Sequence, residues 1–199
     1  MENQCGIILL AAGSSSRLGQ PKQSLLFNHS TLLEHSIEAA VKSIANHVIV
    51  VLGANAETIN PAVKEKKLSL VINEFWQEGI ASSIRRGLQY LLQKWPGVQA
   101  ALFMVCDQPY INTALLDKLV TLQRQTGDSI VASEYAGTKG IPAIFDKQLF
   151  PGLLQLKGDA GAKKIIIQQQ GNIAAVPFPL GDIDIDTAAD YDKLKKNED

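Results

Sequence analysis

The chain has 199 residues, 46% hydrophobic and 20% charged, which is enough apolar material for a full core and leads us to expect one domain spanning 1–199. A net charge of −1 and an aromatic content of 6% supply neither the basic field nor the stacking surface that nucleic acid demands, so a nucleic-acid partner is disfavoured. Two cysteines without a CxxC pair, a start without a basic leader and the lack of any apolar run of bilayer length point to a cytoplasmic protein with no membrane contact.

The first element is the uninterrupted apolar run Ile7 to Leu10, which suits a parallel strand covered on both faces and stops at Gly13. A loop of small residues follows, with Ser14, Ser15 and Ser16 as hydroxyl donors and Gly13 and Gly19 free to take positive φ, so several N–H groups can converge on one phosphate chain. Arg17 and Lys22 add positive charge. The glycine spacing matches neither a Walker A loop nor the dinucleotide fingerprint, and taken alone the stretch reads equally as a small-residue turn with two solvated cations.

Ser24 to Phe27 is a brief extended segment. Thr31 and Glu34 have capping-box spacing ahead of a helix reaching about Ser43. His47–Leu52 is a second buried strand closed by Gly53, Pro61 suits a short helix running into the solvated charges Lys64 to Lys67, and Leu68–Ile72 is a third strand. Gly79 opens a helix to about Lys94. The fourth buried strand, Ala100–Cys106, delivers Asp107 at its carboxyl end, where ligands bind in open α/β sheets. Asn112 or Thr113 caps the next helix, through Leu115, Leu116, Leu119 and Leu122. Ser129–Ser133 and Ile141–Phe145 read as a hairpin, Asp146 as the cap of a helix to Leu154, and Gly158 as the start of one carrying Ile165, Ile166 and Ile167 to the core before Gly171 ends it. Ile173–Val176 is a last main strand, and Thr187 with Asp190 forms a second capping box ahead of a polar C-terminal helix. The alternation predicts an α/β fold, a three-layer and mainly parallel Rossmann-like sheet with right-handed crossovers.

The stretch Leu10-Ala11-Ala12-Gly13-Ser14-Ser15-Ser16-Arg17-Leu18-Gly19-Gln20-Pro21-Lys22 resembles the signature loop of nucleotidyltransferases of the nucleotide-diphospho-sugar transferase type. Cys106-Asp107-Gln108-Pro109, Gly140-Ile141-Pro142, the run from Gly158 to Lys163 and Asp184-Ile185-Asp186-Thr187 follow in the order shown by the molybdenum cofactor cytidylyltransferase group, which the chain most resembles. The resemblance implies an enzyme joining a nucleoside monophosphate to a phosphorylated acceptor, and places the nucleotide against Leu10, Ala11, Ala12 and Gly13. In such a site Lys22 and Arg17 are the candidates for gripping phosphate oxygens, and Asp107 is the first candidate for Mg²⁺, a hard cation usually held by one or two carboxylates plus substrate phosphates.

Alternation puts Asp182, Asp184 and Asp186 on one side of an extended segment; the resemblance selects Asp186 as second metal ligand with Asp184 in reserve, while Asp182 reads as solvated. It also implies that Asn73, Ser82 and Ser83 contact the nucleoside, although all three serve equally as local caps. Gly158, Asp159, Gly161 and Lys163 form a candidate anion site for the acceptor, and Gly140 and Pro142 shape its cleft. His29, His35 and His47 lack metal-ligand spacing, Arg85 and Arg86 read as a solvated helix face, and Cys106 as core. The implied reaction is Mg²⁺-dependent transfer of CMP from CTP to a phosphorylated pterin, molybdopterin carrying molybdenum, with a molybdenum hydroxylase as recipient; Gln20-Pro21 before Lys22 resembles the cytidylyl branch. Guanylyl transfer, nucleotidyl transfer to a sugar or polyol phosphate, and a non-catalytic molybdenum-cofactor carrier are the alternatives.

Overall fold

The computed structural model describes residues 4–15, 18–59, 65–169 and 173–196. Its centre is a seven-stranded sheet made of β1 (Cys5–Ala11), β4 (His47–Leu52), β5 (Leu68–Ile72), β6 (Ala100–Val105), β7 (Ile130–Tyr135), β8 (Thr138–Asp146) and β9 (Ala174–Pro177), while β2 (Leu26–Phe27) and β3 (Ser30–Thr31) form a separate hairpin. The order across the sheet is β5-β4-β1-β6-β8-β7-β9. Strand β1 pairs in parallel with both β4 and β6, and all seven of its residues are buried, as an uninterrupted apolar run requires. Strand β8 alone runs against its neighbours β6 and β7, so the expected hairpin is built into the main sheet. From β1 the chain builds β4 and β5 outward on one side and then crosses through the helix Ile80–Lys94 to β6 on the other side of β1, which makes the carboxyl ends of β1 and β6 the switch point where a crevice opens.

The helices are α1 (Leu32–Lys42), α2 (Ile80–Lys94), α3 (Thr113–Thr126), α4 (Phe150–Leu154), α5 (Lys163–Gln168) and α6 (Ala188–Lys196). Thr31 and Glu34 form the capping box of α1, Asn112 Oδ1 accepts from Leu115 N at 3.0 Å to cap α3, and Gly127 ends α3 with φ 69°. Thr187 and Asp190 exchange hydrogen bonds at the start of α6. One core lies under α1 and α3, a second under α2, α4 and α5 on the opposite face of the sheet, and a small third cluster joins Leu25, Phe27 and Leu32 to Ile185 and Leu194.

Several expectations shift. Gly158, at φ 58°, lies in a turn, and the helix begins five residues later, with α5 at Lys163. Ile165 and Ile166 are buried, but Ile167 is 74% exposed, because successive helical residues turn by about 100° and three in a row cannot share one face. Ser24 lies in a 3₁₀ turn spanning Lys22–Ser24 instead of an extended segment. Strand β6 stops at Val105, one residue short of Cys106. The short helix expected at Pro61 and the stop at Gly171 fall outside the described residues.

Candidate active site

At the end of β1 the chain passes from buried Leu10, Ala11 and Ala12 to exposed Gly13. The positive φ needed to turn the loop is taken by Ser15 (56°) and Gly19 (71°), and not by Gly13. Ser15 Oγ accepts a hydrogen bond from Lys22 N at 3.0 Å, drawing the loop's two ends together. The side chain of Gln23, almost wholly buried, donates through Nε2 to Ala11 O (2.8 Å) and Gly13 O (3.1 Å), tying the turn shut from behind. Arg17 lies outside the described residues.

Two carboxylates reach the same point. Lys22 Nζ stands 2.8 Å from Asp107 Oδ2 and 2.8 Å from Asp186 Oδ1, with the lysine side chain 14% exposed. Burial alone would lower the Lys22 ammonium, but the two carboxylates outweigh it and hold it above the ordinary lysine value. Asp186 is brought here by two hydrogen bonds, one backbone and one from a side chain: Ile185 N donates to Asp107 O at 2.9 Å, and Gln108 Nε2 donates to Gly181 O at 2.8 Å. Ile185 is fully buried in the third cluster, so its neighbours Asp184 and Asp186 point away from that core. Partial burial, then Asp107 and Asp186, raise Asp184 to about 6. Asp182 sits in an exposed turn.

Among the described residues no three His, Cys, Asp or Glu side chains gather closely enough to hold a metal by themselves. Asp107 and Asp186 nonetheless aim hard oxygens at one point that a cationic group already occupies, a donor set that fits a divalent ion completed by substrate oxygens. The histidines are used elsewhere: His35 meets the edge of Phe27, His29 takes positive φ in the β2–β3 turn, and His47 stacks on Trp95 with ring centroids 3.8 Å apart.

A cavity of about 350 Å³ adjoins the ion-paired group, lined by Leu10 to Gly13, Lys22, Gln23 and Asp107 together with Trp76, Gly79, Ile80, Ser83 and Asp159. Asn73 is buried and spent locally: its Nδ2 donates to Ser82 Oγ (2.8 Å) and Ser83 Oγ (3.0 Å), and its Oδ1 accepts from Phe75 N (3.1 Å). Asn73 and Ser82 therefore shape the turn between β5 and α2, and of this trio Ser83 faces the cavity. Gly158 O accepts from Ala81 N, and Gly79, at φ 93°, packs directly on Gly158. Asp159 reaches the cavity, whereas Lys163 is exposed on α5 and, with Gly161, stands outside the lining. A side chain at Gly140 would strike the Tyr135 phenol, whose hydroxyl donates to Ile141 O (3.1 Å); Pro142 O accepts from Ser133 Oγ (2.7 Å). Arg85 is pinned, not merely solvated, bonding Leu156 O and Glu78, while Arg86 Nε donates to Ile72 O at 3.1 Å. Burial pushes the Cys106 thiol up to about 12, which removes it as a nucleophile.

Residues 7–173 match the MobA-like NTP transferase domain. The chain belongs to the MobA-like NTP transferase family. Its relatives include the purine catabolism protein PucB of Bacillus subtilis (29% identical, 95% of each chain), the nicotine blue oxidoreductase of Paenarthrobacter nicotinovorans (30%, 81% of each) and the molybdenum cofactor cytidylyltransferase of Escherichia coli (23%, 95% of this chain and 94% of the other). Among solved structures, Rv0371c of Mycobacterium tuberculosis superposes with a TM-score of 0.84 at 28% identity, covering 98% of this chain and all of that one. Rv0371c is also known in complex with manganese (TM-score 0.77, 25% identical, 97% and 98% covered). This MobA-like protein is a nucleotidyltransferase with the Rossmann-like sheet of its family.

Gln23, Trp76 and Gln108 were not singled out by sequence. Gln108 lies inside a motif that was, but a neutral amide carries no pattern showing that it will be buried against Gly181.

Proposed function

We propose that this nucleotidyltransferase moves CMP from CTP onto the terminal phosphate of molybdopterin carrying molybdenum, releasing pyrophosphate, and that the product passes to a molybdenum hydroxylase. The observation that carries the reading is the Lys22–Asp107–Asp186 group at the edge of a cavity walled by the Leu10–Gly13 backbone. An acceptor phosphate oxygen attacks the α-phosphorus; that bond forms as the α–β bridging bond breaks, and its electron pair leaves with pyrophosphate. The acceptor is already ionised, so no general base is required, in keeping with a site whose histidines are engaged elsewhere. Lys22, charged across the neutral range, neutralises oxygens that gain charge in the transition state. A Mg²⁺ ion held by Asp107 and Asp186 supplies further charge neutralisation when bound. Asp159 and the turn at Gly158 form the acceptor side of the cavity, with Gly140 and Pro142 shaping the chain behind Tyr135.

The choice of base rests on Gln20-Pro21 and on the backbone of Leu10 to Ala12, which can meet the donor and acceptor order of cytosine's edge. A wrong base leaves buried polar groups unpaired, so discrimination is large. The test is competition between equal CTP and GTP with molybdopterin as acceptor, scored by the dinucleotide formed. Cytosine dinucleotide should dominate; predominant GMP transfer overturns the base assignment, and binding of the cofactor without pyrophosphate release favours a carrier.

A further inference from the structure

Trp76 lines the same cavity as the Leu10–Gly13 backbone and is half-buried there. Its root is held in place from below. A Cβ on Gly53 would come within 2.8 Å of Trp76 Cβ and 2.6 Å of Ala12 O, so only a bare backbone at Gly53 lets the tryptophan stem sit against the nucleotide loop. From above, the buried Asn73 amide fixes the turn that delivers it, bonding Phe75 N, Ser82 and Ser83. The fold thus constrains a large aromatic side chain tightly and still leaves part of it uncovered, facing the same space as Lys22 and Asp107. The other tryptophan, Trp95, is satisfied by stacking on His47, at the opposite, amino-terminal end of β4.

We infer that Trp76 is a nucleotide-binding residue whose indole stacks on the nucleobase while the Ala11–Ala12 backbone reads the base edge. This rests on the nucleotidyltransferase reading of the cavity. A base is favoured over the pterin because the Trp76 stem and Ala12 of the nucleotide loop crowd the same bare backbone at Gly53, and because Gly140 and Pro142 do not line this cavity. Stacking on an indole tolerates any base face, so Trp76 contributes affinity and leaves the choice of base to the backbone.

The experiment is a titration of intrinsic fluorescence with CTP, with no acceptor present, run beside calorimetry. In W95F, Trp76 is the sole tryptophan, and its emission should fall along the same saturation curve as the calorimetric signal. In W76F that quench should vanish while affinity stays within about twofold, and W76A should weaken CTP binding roughly tenfold without altering the circular dichroism. Calorimetric binding with unchanged W95F emission overturns the stacking assignment and leaves the nucleotidyltransferase reading standing, as does a quench produced by molybdopterin but by neither CTP nor GTP. If the wild-type protein binds no nucleoside triphosphate at all, the reading of the cavity and this inference fall together.

Discussion

Lys22 makes 2.8 Å contacts to both carboxylates, so in the proposed reaction ammonium and metal would compete for Asp107 and Asp186 until triphosphate took up the extra positive charge. K22A should therefore do two things at once. Turnover should fall by about 3 kcal/mol, roughly a hundredfold, the scale of one electrostatic contact to a developing charge. Mn²⁺ binding measured by calorimetry without nucleotide should become tighter, because the competing cation is gone; near-normal turnover would reduce the loop to a structural turn. The pH sense follows from the raised lysine value: its ion pairing stabilises the fold fully below the ordinary lysine pKa and is lost only as pH climbs through the raised one, so Lys22 introduces no titration near neutrality. Lys22, Asp107 and Asp186 were legible as charged residues at motif positions. Their direct pairing was not, because 85 residues separate Lys22 from Asp107 and only the sheet brings them together. In the sequence Asn73 stays open between base reading and a local cap, because an amide that can read a base can as easily be buried beneath a helix start, where the structure has it bonding Ser82 and Ser83.

At the level of elements, α2 is pressed onto the sheet at a point that sequence patterning passes over. A Cβ on Gly87 would lie 2.6 Å from Ile8 Cγ2 and 2.9 Å from Val51 Cγ2, so the helix approaches β1 and β4 as closely as it does only through the bare glycine. Helix propensity predicts that G87A stabilises by about 1 kcal/mol. Overpacking predicts the opposite and should win, so urea unfolding should show G87A less stable by about 1–3 kcal/mol. Stability equal to or above the parent would mean that α2 can lift off the sheet at little cost. Strands and long helices were readable because their periods are regular and their caps are chemical, as at Thr31 and Asn112. The error at α5 arose where those signals thin out: six residues make fewer than two turns, and Gly158 before them turns the chain instead of starting the helix.

For the molecule as a whole, the order β5-β4-β1-β6-β8-β7-β9 places the carboxyl ends of β1 and β6 side by side, and the nucleotide loop and Asp107 emerge from those two ends. The third component comes from far along the chain. The segment ending at Asp186 is fastened by Ile185 in the cluster with Leu25, Phe27, Leu32 and Leu194, and Tyr191 of α6 bonds Leu26 beside the loop, with its hydroxyl 3.0 Å from Leu26 O. Apolar runs announced the parallel centre of the sheet, and resemblance alone paired Asp186 with Asp107; the alternation of the acidic segment carried no sign that Ile185 and α6 would fasten it there. The central claim is that these remote pieces form one metal-assisted transfer site. Its most direct test is Mg²⁺ titration of pyrophosphate release from CTP and molybdopterin in the wild type, Asp107→Asn and Asp186→Asn, alongside metal-free CTP binding. The account predicts that both variants need far more Mg²⁺ while retaining metal-free CTP affinity; Mg²⁺ curves coinciding with the wild type would contradict it.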